Sequence, residues 1–498
     1  MTMIQIFVRS YLNEFLGILE KHSVPLVTVI ILLWFLKTIV FPPWNFPKNI
    51  PTIPFYVSFL GAYTKLDQTQ IYDIYLREKI EKYGAVKVYF ASRWNILVAR
   101  HNYLQQVFND EDIFAKSGNQ KKIPSSVLSE YTGDNIISAH GETWKLYRSI
   151  MAHPIQFPKT EPIYQNSTKF IKQLHKLVSA EKGVFSVNEL VQRLCLANIG
   201  DAILGTDFEA LEDSSELHSR LVAIKKQIFK PFFMNFPFFD QFPIPSRQKA
   251  RIEVKNFRHF YCNILKNTKS TSDLVFNLKK ALKEGGITEK QFSDNAVIIM
   301  VAGHENPQLL LSSLLYVLAK YLQVQEKLRR EILKNDDMSE KTIANLPYLN
   351  SVIYETLRLF PPLGQIINRK TLCKVTLGKD ISIPKGIYVG YNNYATGRDR
   401  NVWSEADNFT PERWGYSIEE VKGNYLKAKR ESTMPAFHGK RRACLGEKFA
   451  LLQMRVVLID ILKNFELSLD PQWEERFTPA GPICPVGLSL KLKSRSFQ

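Results

Sequence analysis

Apolar residues dominate Val24 to Phe41, where only Thr28, Lys37 and Thr38 interrupt them. Eighteen helical residues span about 27 Å against a hydrocarbon core of roughly 30 Å, so the pattern predicts a transmembrane anchor over 23–41 with Lys37 snorkelling. Residues 1–22 differ: Ile4, Phe7, Tyr11, Phe15 and Ile18 recur at helical spacing and predict a separate amphipathic segment. Phe41-Pro42-Pro43-Trp44 lacks a small-residue cleavage pattern, which favours a retained anchor over a removable signal peptide. Pro42, Pro43, Pro47, Pro51 and Pro54 then predict a stiff, extended hinge over 42–55.

Residues 56–498 read as one domain, mainly α with small β-sheets. Its longest helical pattern runs from Thr288 to Tyr321. Thr288 and Gln291 make a capping box, and the apolar run Val297–Val301 leads into Ala302-Gly303-His304-Glu305-Asn306-Pro307. Pro307 has no N–H for the Gly303 carbonyl, so a kink is expected there, with room for oxygen and water beside the glycine. A second helical pattern, Leu349–Phe360, ends at Pro361-Pro362 and places Glu355 and Arg358 on one face. Further helices are predicted over Gln70–Lys82, Glu142–Met151, Tyr164–Leu177, Val187–Leu204 and Lys448–Leu462. Short strands are predicted at Ala85–Phe90, Asn95–Ala99, Ser382–Pro384 and Leu488–Leu492. Phe229, Phe232, Phe233, Phe236, Phe238, Phe239 and Phe242 cluster among four prolines, as either a packed loop or a mobile apolar lid.

Composition changes this picture in two ways. The net charge of +18 suits acidic protein partners and anionic membranes. Five scattered cysteines are too few and too irregular for a secreted disulfide framework, so reduced thiols and a cytosolic domain are expected. There is no glycine-rich nicotinamide or flavin fingerprint, so any redox chemistry needs electrons from outside.

One of those cysteines carries the candidate chemistry. Cys444 lies in Phe437-His438-Gly439-Lys440-Arg441-Arg442-Ala443-Cys444-Leu445-Gly446, just before an apolar helix. Cationic neighbours and a helix N-terminus favour a thiolate, here through Arg441, Arg442 and the helix opening near Gly446. The alternative is a small buried core thiol. The loop resembles the haem loop of the cytochrome P-450 family, Phe-x-x-Gly-x-Arg-x-Cys-x-Gly. It departs at Lys440, where the family glycine serves a tight turn.

That resemblance implies the cytochrome P-450 fold, haem b with Cys444 as the iron ligand, and electrons from NADPH through NADPH-cytochrome P-450 reductase. It implies that Trp144, Arg148, Arg369, Phe437 and Arg442 hold the haem, arginines meeting its propionates. Glu355, Arg358 and Arg413 become a structural triad. Gly303, Glu305 and Asn306 become the distal catalytic residues, with Asn306 replacing the family threonine. A monomer in the endoplasmic reticulum membrane is expected, its domain facing the cytosol, with no nucleic-acid partner and the sequon Asn166-Ser167-Thr168 unused.

The stretches PPWNFPKNIPTIPFY, FAKSGNQKKIP, YTGDN, KKQIF, PIPSR, VAGHENPQLL, IPKGIYVGYNN, PERWG, RRACLGEK and TPAGPICP narrow the resemblance to a fungal branch that oxidises N-formyltyrosine for the spore or cell wall. This implies coupling of two N-formyltyrosines into N,N'-bisformyl dityrosine: each phenol loses one electron and one proton, and oxygen leaves as water. The alternatives are a hydroxylase of an apolar or aromatic substrate, or a non-catalytic haem-thiolate sensor or carrier. A carboxylate substrate needs a cation. Lys116, Lys121 and Lys122 are the candidates, or else simply a solvated basic loop, and Gln365 is available to the formyl group or phenol.

Overall fold

The computed structural model describes residues 25, 27–30, 32–181, 183–268 and 272–495. The amphipathic segment expected over 1–22 lies outside the described residues, as does part of the anchor expected over 23–41. Among the described residues, no helix is long and apolar enough to cross a membrane.

Among the described residues, ten strands form three small sheets: β1 Ala85–Phe90, β2 Arg93–Val98, β3 Phe114–Lys116, β4 Val184–Ser186, β5 Gln365–Thr371, β6 Val375–Leu377, β7 Ile381–Ile383, β8 Tyr388–Asn392, β9 Phe465–Leu469 and β10 Ser489–Ser494. The largest has the order β1-β2-β8-β5-β3 and is antiparallel except where β2 meets β8. Its β1–β2 hairpin turns through Ala91 and Ser92, both at positive φ, the twist a two-residue hairpin requires. The other sheets are β4-β10-β9 and β6-β7.

The lead-in to this sheet corrects the hinge. Thr52 bridges to Lys87 on β1, the Lys87 ammonium donates to the Pro47 carbonyl at 2.9 Å, and Phe46, Ile50 and Ile53 are buried. Residues 46–53 are therefore part of the domain. The last turn of the expected anchor joins it too: Leu36–Val40 is a π-helical turn whose Ile39 packs in one apolar cluster with Phe46 and Trp94. Val27, Val29, Ile30, Leu32, Leu33 and Trp34 stay exposed.

Eight helices position the site: α1 Val127–Thr132, α2 Gly141–Gln156, α3 Asn188–Ile199, α4 Glu216–Ile228, α5 Pro245–Asn267, α6 Glu289–Lys320, α7 Pro347–Leu359 and α8 Glu447–Asn464. Both halves of the capping box at Thr288 and Gln291 form, and α6 runs on through Pro307. A Cβ on Gly303 would come within 2.3 Å of Ile199 on α3. The glycine thus lets two helices cross closely, and Ile199 fills the side-chain space expected to admit oxygen and water.

Candidate active site

The cysteine loop leaves a single 3-10 turn, Lys440–Arg442, and delivers Cys444 ahead of α8. Its backbone is strained where the sequence lacks glycine: Lys440 has φ 56° and His438 φ 61°. An L-residue held there costs about 1–2 kcal/mol. Gly439, by contrast, is extended, with φ −152°, and is small for another reason: a Cβ there would lie 2.9 Å from the Phe108 ring.

Cys444 is exposed at the end of this loop, though the packed loop behind it pushes its thiol up to about 11; the Gly446 N–H and Lys429 oppose this, and Glu447 adds to it. Neither Arg441 nor Arg442 bonds the sulfur. Arg442 donates instead to Glu111 at 2.8 Å and to the carbonyls of Ile137 and Ala139. Whatever its state when free, a thiol is ionised by coordination to a metal ion.

The arginines converge on Trp144. The guanidinium carbons of Arg442, Arg148 and Arg441 stand 4.4, 5.5 and 5.6 Å from its ring centroid. Beside them, Arg369 on β5 lies directly opposite Lys116 on β3. Like charges opposed across a strand pair repel. Arg369 bonds only the Phe114 carbonyl, and its buried Nε finds no acceptor among the described residues. Lys116 is held well below its usual range by burial and by Arg369 and Arg442; His438 is pushed down to about 3 by burial and by Lys116 and Arg369. Against these cations stands Glu111, whose charge opposes the lowering of Arg442 to about 10.

The surplus calls for an anion with more than one carboxylate, and haem propionates fit it. Trp144, Arg148, Arg369 and Arg442 would hold the group, with Lys116 among them, and Cys444 would take the iron. Bound there, haem supplies oxygen activation. Phe437 contributes its carbonyl, which accepts the Cys444 N–H at 3.0 Å.

Glu355, Arg358 and Arg413 meet. Arg358 grips both Glu355 oxygens at 2.9 and 2.7 Å, and Arg413 Nε donates at 2.8 Å. Sequence reasoning missed two further donors, Trp414 Nε1 at 3.1 Å and the Thr410 N–H at 2.9 Å. Arg358 also donates to the carbonyls of Gly397, Ala406 and Asn408, so the buried group is saturated.

On α6, Glu305 pairs with Lys225 of α4 at 2.8 Å. His304, fully buried, donates from Nδ1 to the Met300 carbonyl at 2.7 Å, leaving Nε2 to accept from Lys225 at 3.4 Å. Burial, then the Lys225 charge, pushes His304 down to about 4, so it is neutral. Asn306 is half-buried on the next position. Neither Lys225 nor the role of His304 carried any sequence signal of its own.

The three lysines expected at the substrate carboxylate do not converge. Lys116 stands in the cation cluster, Lys121 is exposed, and Lys122 donates to the Ile367 carbonyl at 2.7 Å. Gln365 is half-buried on β5, opposite Asn392. The phenylalanine cluster is a packed loop with an exposed edge: Phe236 stacks on Phe59, whereas Phe229, Phe232, Phe238 and Phe242 are exposed. A buried Asp240–Arg247 pair at 2.6 Å fixes it, and Asp240 also accepts the Val127 N–H of α1.

A helical domain with one cysteine loop, a cation pocket for two carboxylates and a long helix across from them defines a haem-thiolate protein. The family model for cytochrome P450 matches residues 50–495, and the chain belongs to that family. It is 50% identical over 463 residues to cytochrome P450-DIT2 of Saccharomyces cerevisiae, covering 91% of this chain and 94% of that protein. It is 38% identical over 487 residues to cytochrome P450 monooxygenase xanG of Aspergillus fumigatus, covering 93% and 90%. With cytochrome P450 94A2 of Vicia sativa the identity is 25% over 407 residues, covering 74% and 77%. The chain is a cytochrome P450 monooxygenase, and its family implies haem and electrons from a reductase.

Proposed function

We propose that this enzyme couples two N-formyltyrosines into N,N'-bisformyl dityrosine for a fungal spore or cell wall. The supporting observation is where the branch-resembling stretches lie. Lys225 of KKQIF meets Glu305 of VAGHENPQLL; Tyr131 of YTGDN lies on α1, which packs against α6; Lys116 of FAKSGNQKKIP faces Arg369 beside Arg442 of RRACLGEK. Some of the branch-resembling stretches thus meet at the site, within a likeness that runs over 91% of the chain.

Two phenols give up two electrons and two protons, NADPH supplies two more electrons through the reductase, and one O2 becomes two waters. No oxygen enters the product, which fits a distal helix carrying Asn306 instead of threonine; asparagine can still hydrogen-bond water there. The protein is anchored in the endoplasmic reticulum membrane with its domain in the cytosol. The exposed apolar residues from Val27 to Trp34 support the anchor.

Incubation with reductase, NADPH and N-formyltyrosine, read by product mass, tests the reading. A product with the mass of two substrates minus two hydrogens is expected. A monomer heavier by one oxygen would make the enzyme a hydroxylase, and no oxygen consumption would make it a carrier.

A further inference from the structure

An anionic substrate in an apolar pocket needs a cation, since an unpaired buried carboxylate is costly. Most cations bordering the α1–α5–α6 wall are committed elsewhere. Arg247 holds Asp240, and Arg258 holds Asp294 and the carbonyls of Glu130 and Tyr131. Lys122 is spent on a backbone carbonyl, and Lys116 belongs to the cation cluster.

Lys225 is different. Its ammonium is steered by two neighbours on consecutive residues of α6, the neutral His304 ring and the Glu305 carboxylate. The side chains of Lys225 and Glu305 remain 21% and 25% accessible, and the Glu305 oxygen that meets the ammonium, though itself buried, makes no hydrogen bond among the described residues, so the pair is a single charge contact and not a saturated one. A second observation points to a ligand. Tyr131 on α1 is 1% exposed, and its hydroxyl has no hydrogen-bond partner among the described residues. Tyr131 lies on α1, which packs against α6, and the Glu305 charge adds to the upward push that burial puts on its hydroxyl.

We propose that Lys225 is the counter-ion for the substrate carboxylate, with Glu305 as a placeholder that holds the ammonium until substrate displaces it. His304 keeps the ammonium aimed in both states, because its Nδ1–H is tied to Met300 and only Nε2 is offered. The Tyr131 hydroxyl donates to the same carboxylate. Once displaced, Glu305 is a free carboxylate next to Asn306, so substrate charge and the availability of the distal acid are linked. This inference rests on the N-formyltyrosine reading.

The test is equilibrium dialysis of labelled N-formyltyrosine and of its uncharged amide against the haem-loaded full-length enzyme. Lys225→Met should weaken the acid by about tenfold to a hundredfold, the scale of a charge-assisted hydrogen bond, and leave the amide unchanged. Glu305→Gln should act in the opposite direction and tighten the acid about two- to fivefold, because the competitor for the ammonium is gone. Equal weakening of acid and amide in Lys225→Met, or weaker acid binding in Glu305→Gln, would overturn the inference. Each variant decides alone, so a folding failure in one leaves the other decisive. If the wild type binds and couples the acid while Lys225→Met binds it equally well, only this inference falls. If the wild type binds neither compound, the substrate reading falls and takes this inference with it.

Discussion

Glu355 and Glu305 are both glutamates paired with cations, yet the two pairs are built to different ends. Glu355 is fully buried and accepts from five donors, two on Arg358 and one each on Arg413, Trp414 and the Thr410 backbone. Glu305 is a quarter accessible and meets one lysine. Saturation in a dry interior makes an ion pair a fixed strut, because no partner can leave without stranding a charge. A single partner at a partly wet position leaves the pair free to exchange. The contrast separates the scaffold of the site from the part that can respond to substrate.

The largest effect should come from breaking the strut. Glu355→Ala leaves the buried Arg358 guanidinium without its counter-ion and takes one partner from the half-buried Arg413, and should cost about 3–5 kcal/mol, seen as little haem-loaded protein and a collapsed unfolding midpoint. A variant that accumulates fully loaded but inactive would move Glu355 from scaffold to chemistry and erase the distinction.

Acid should act on the exchangeable side. His304 is pushed down to about 4 and faces Lys225, Glu305, His218 and the Met300 carbonyl. Its depressed value means that the unfolded chain takes up the proton first. The contribution of His304 is thus present above about pH 6.5 and is lost as pH falls toward 4, amounting to about 2 kcal/mol by pH 5. Unfolding midpoints at pH 7 and pH 5 should show a smaller acid loss in His304→Gln than in the wild type. Equal losses would mean that the ring is not held neutral by this cluster.

Removing the exchangeable partner itself should do little to the fold. Lys225→Met should change stability by no more than about 1 kcal/mol, since a partly exposed pair contributes little. A loss as large as that of Glu355→Ala would show that both glutamates are struts.

The same division explains what could be read from sequence. The long helix was expected from Thr288 to Tyr321 and runs from Glu289 to Lys320, and the strand expected at Ala85–Phe90 has those bounds, because caps and apolar periodicity are local signals. Glu355 and Arg358 announce each other from one turn apart. Trp414, Glu111 and Lys225 announce nothing, because their partners lie far along the chain and packing alone brings them near. The place of Lys116 was hidden for the same reason: its loop context suggested substrate, and only the strand register shows it opposite Arg369. The sequon was judged by compartment, but Asn166 is buried and its amide donates to Asp201 at 2.8 Å. The folded domain therefore has no room for a glycan at Asn166, a reason for an unused sequon that is separate from topology.

The smallest effect concerns the loop between strut and sulfur, where two adjacent residues can be set against each other. Lys440 sits at φ 56° without being glycine, and Gly439 is glycine without a positive φ. Replacing Lys440 by glycine relieves about 1–2 kcal/mol of left-handed strain but returns roughly 0.5–1 kcal/mol to the freedom of the unfolded chain, so a net gain of about 0.5–1 kcal/mol is expected. Gly439→Ala should act in the opposite sense, because its Cβ would press on Phe108 at 2.9 Å, tighter than the ring can meet without shifting. Thermal unfolding of the two variants, with haem content measured alongside, checks both signs. If Lys440→Gly gains nothing while Gly439→Ala loses stability, the loop tolerates its strained lysine through contacts on its exposed side. If Gly439→Ala is also neutral, Phe108 yields, and the cysteine loop belongs with the compliant half of the site, not with the scaffold that Glu355 anchors.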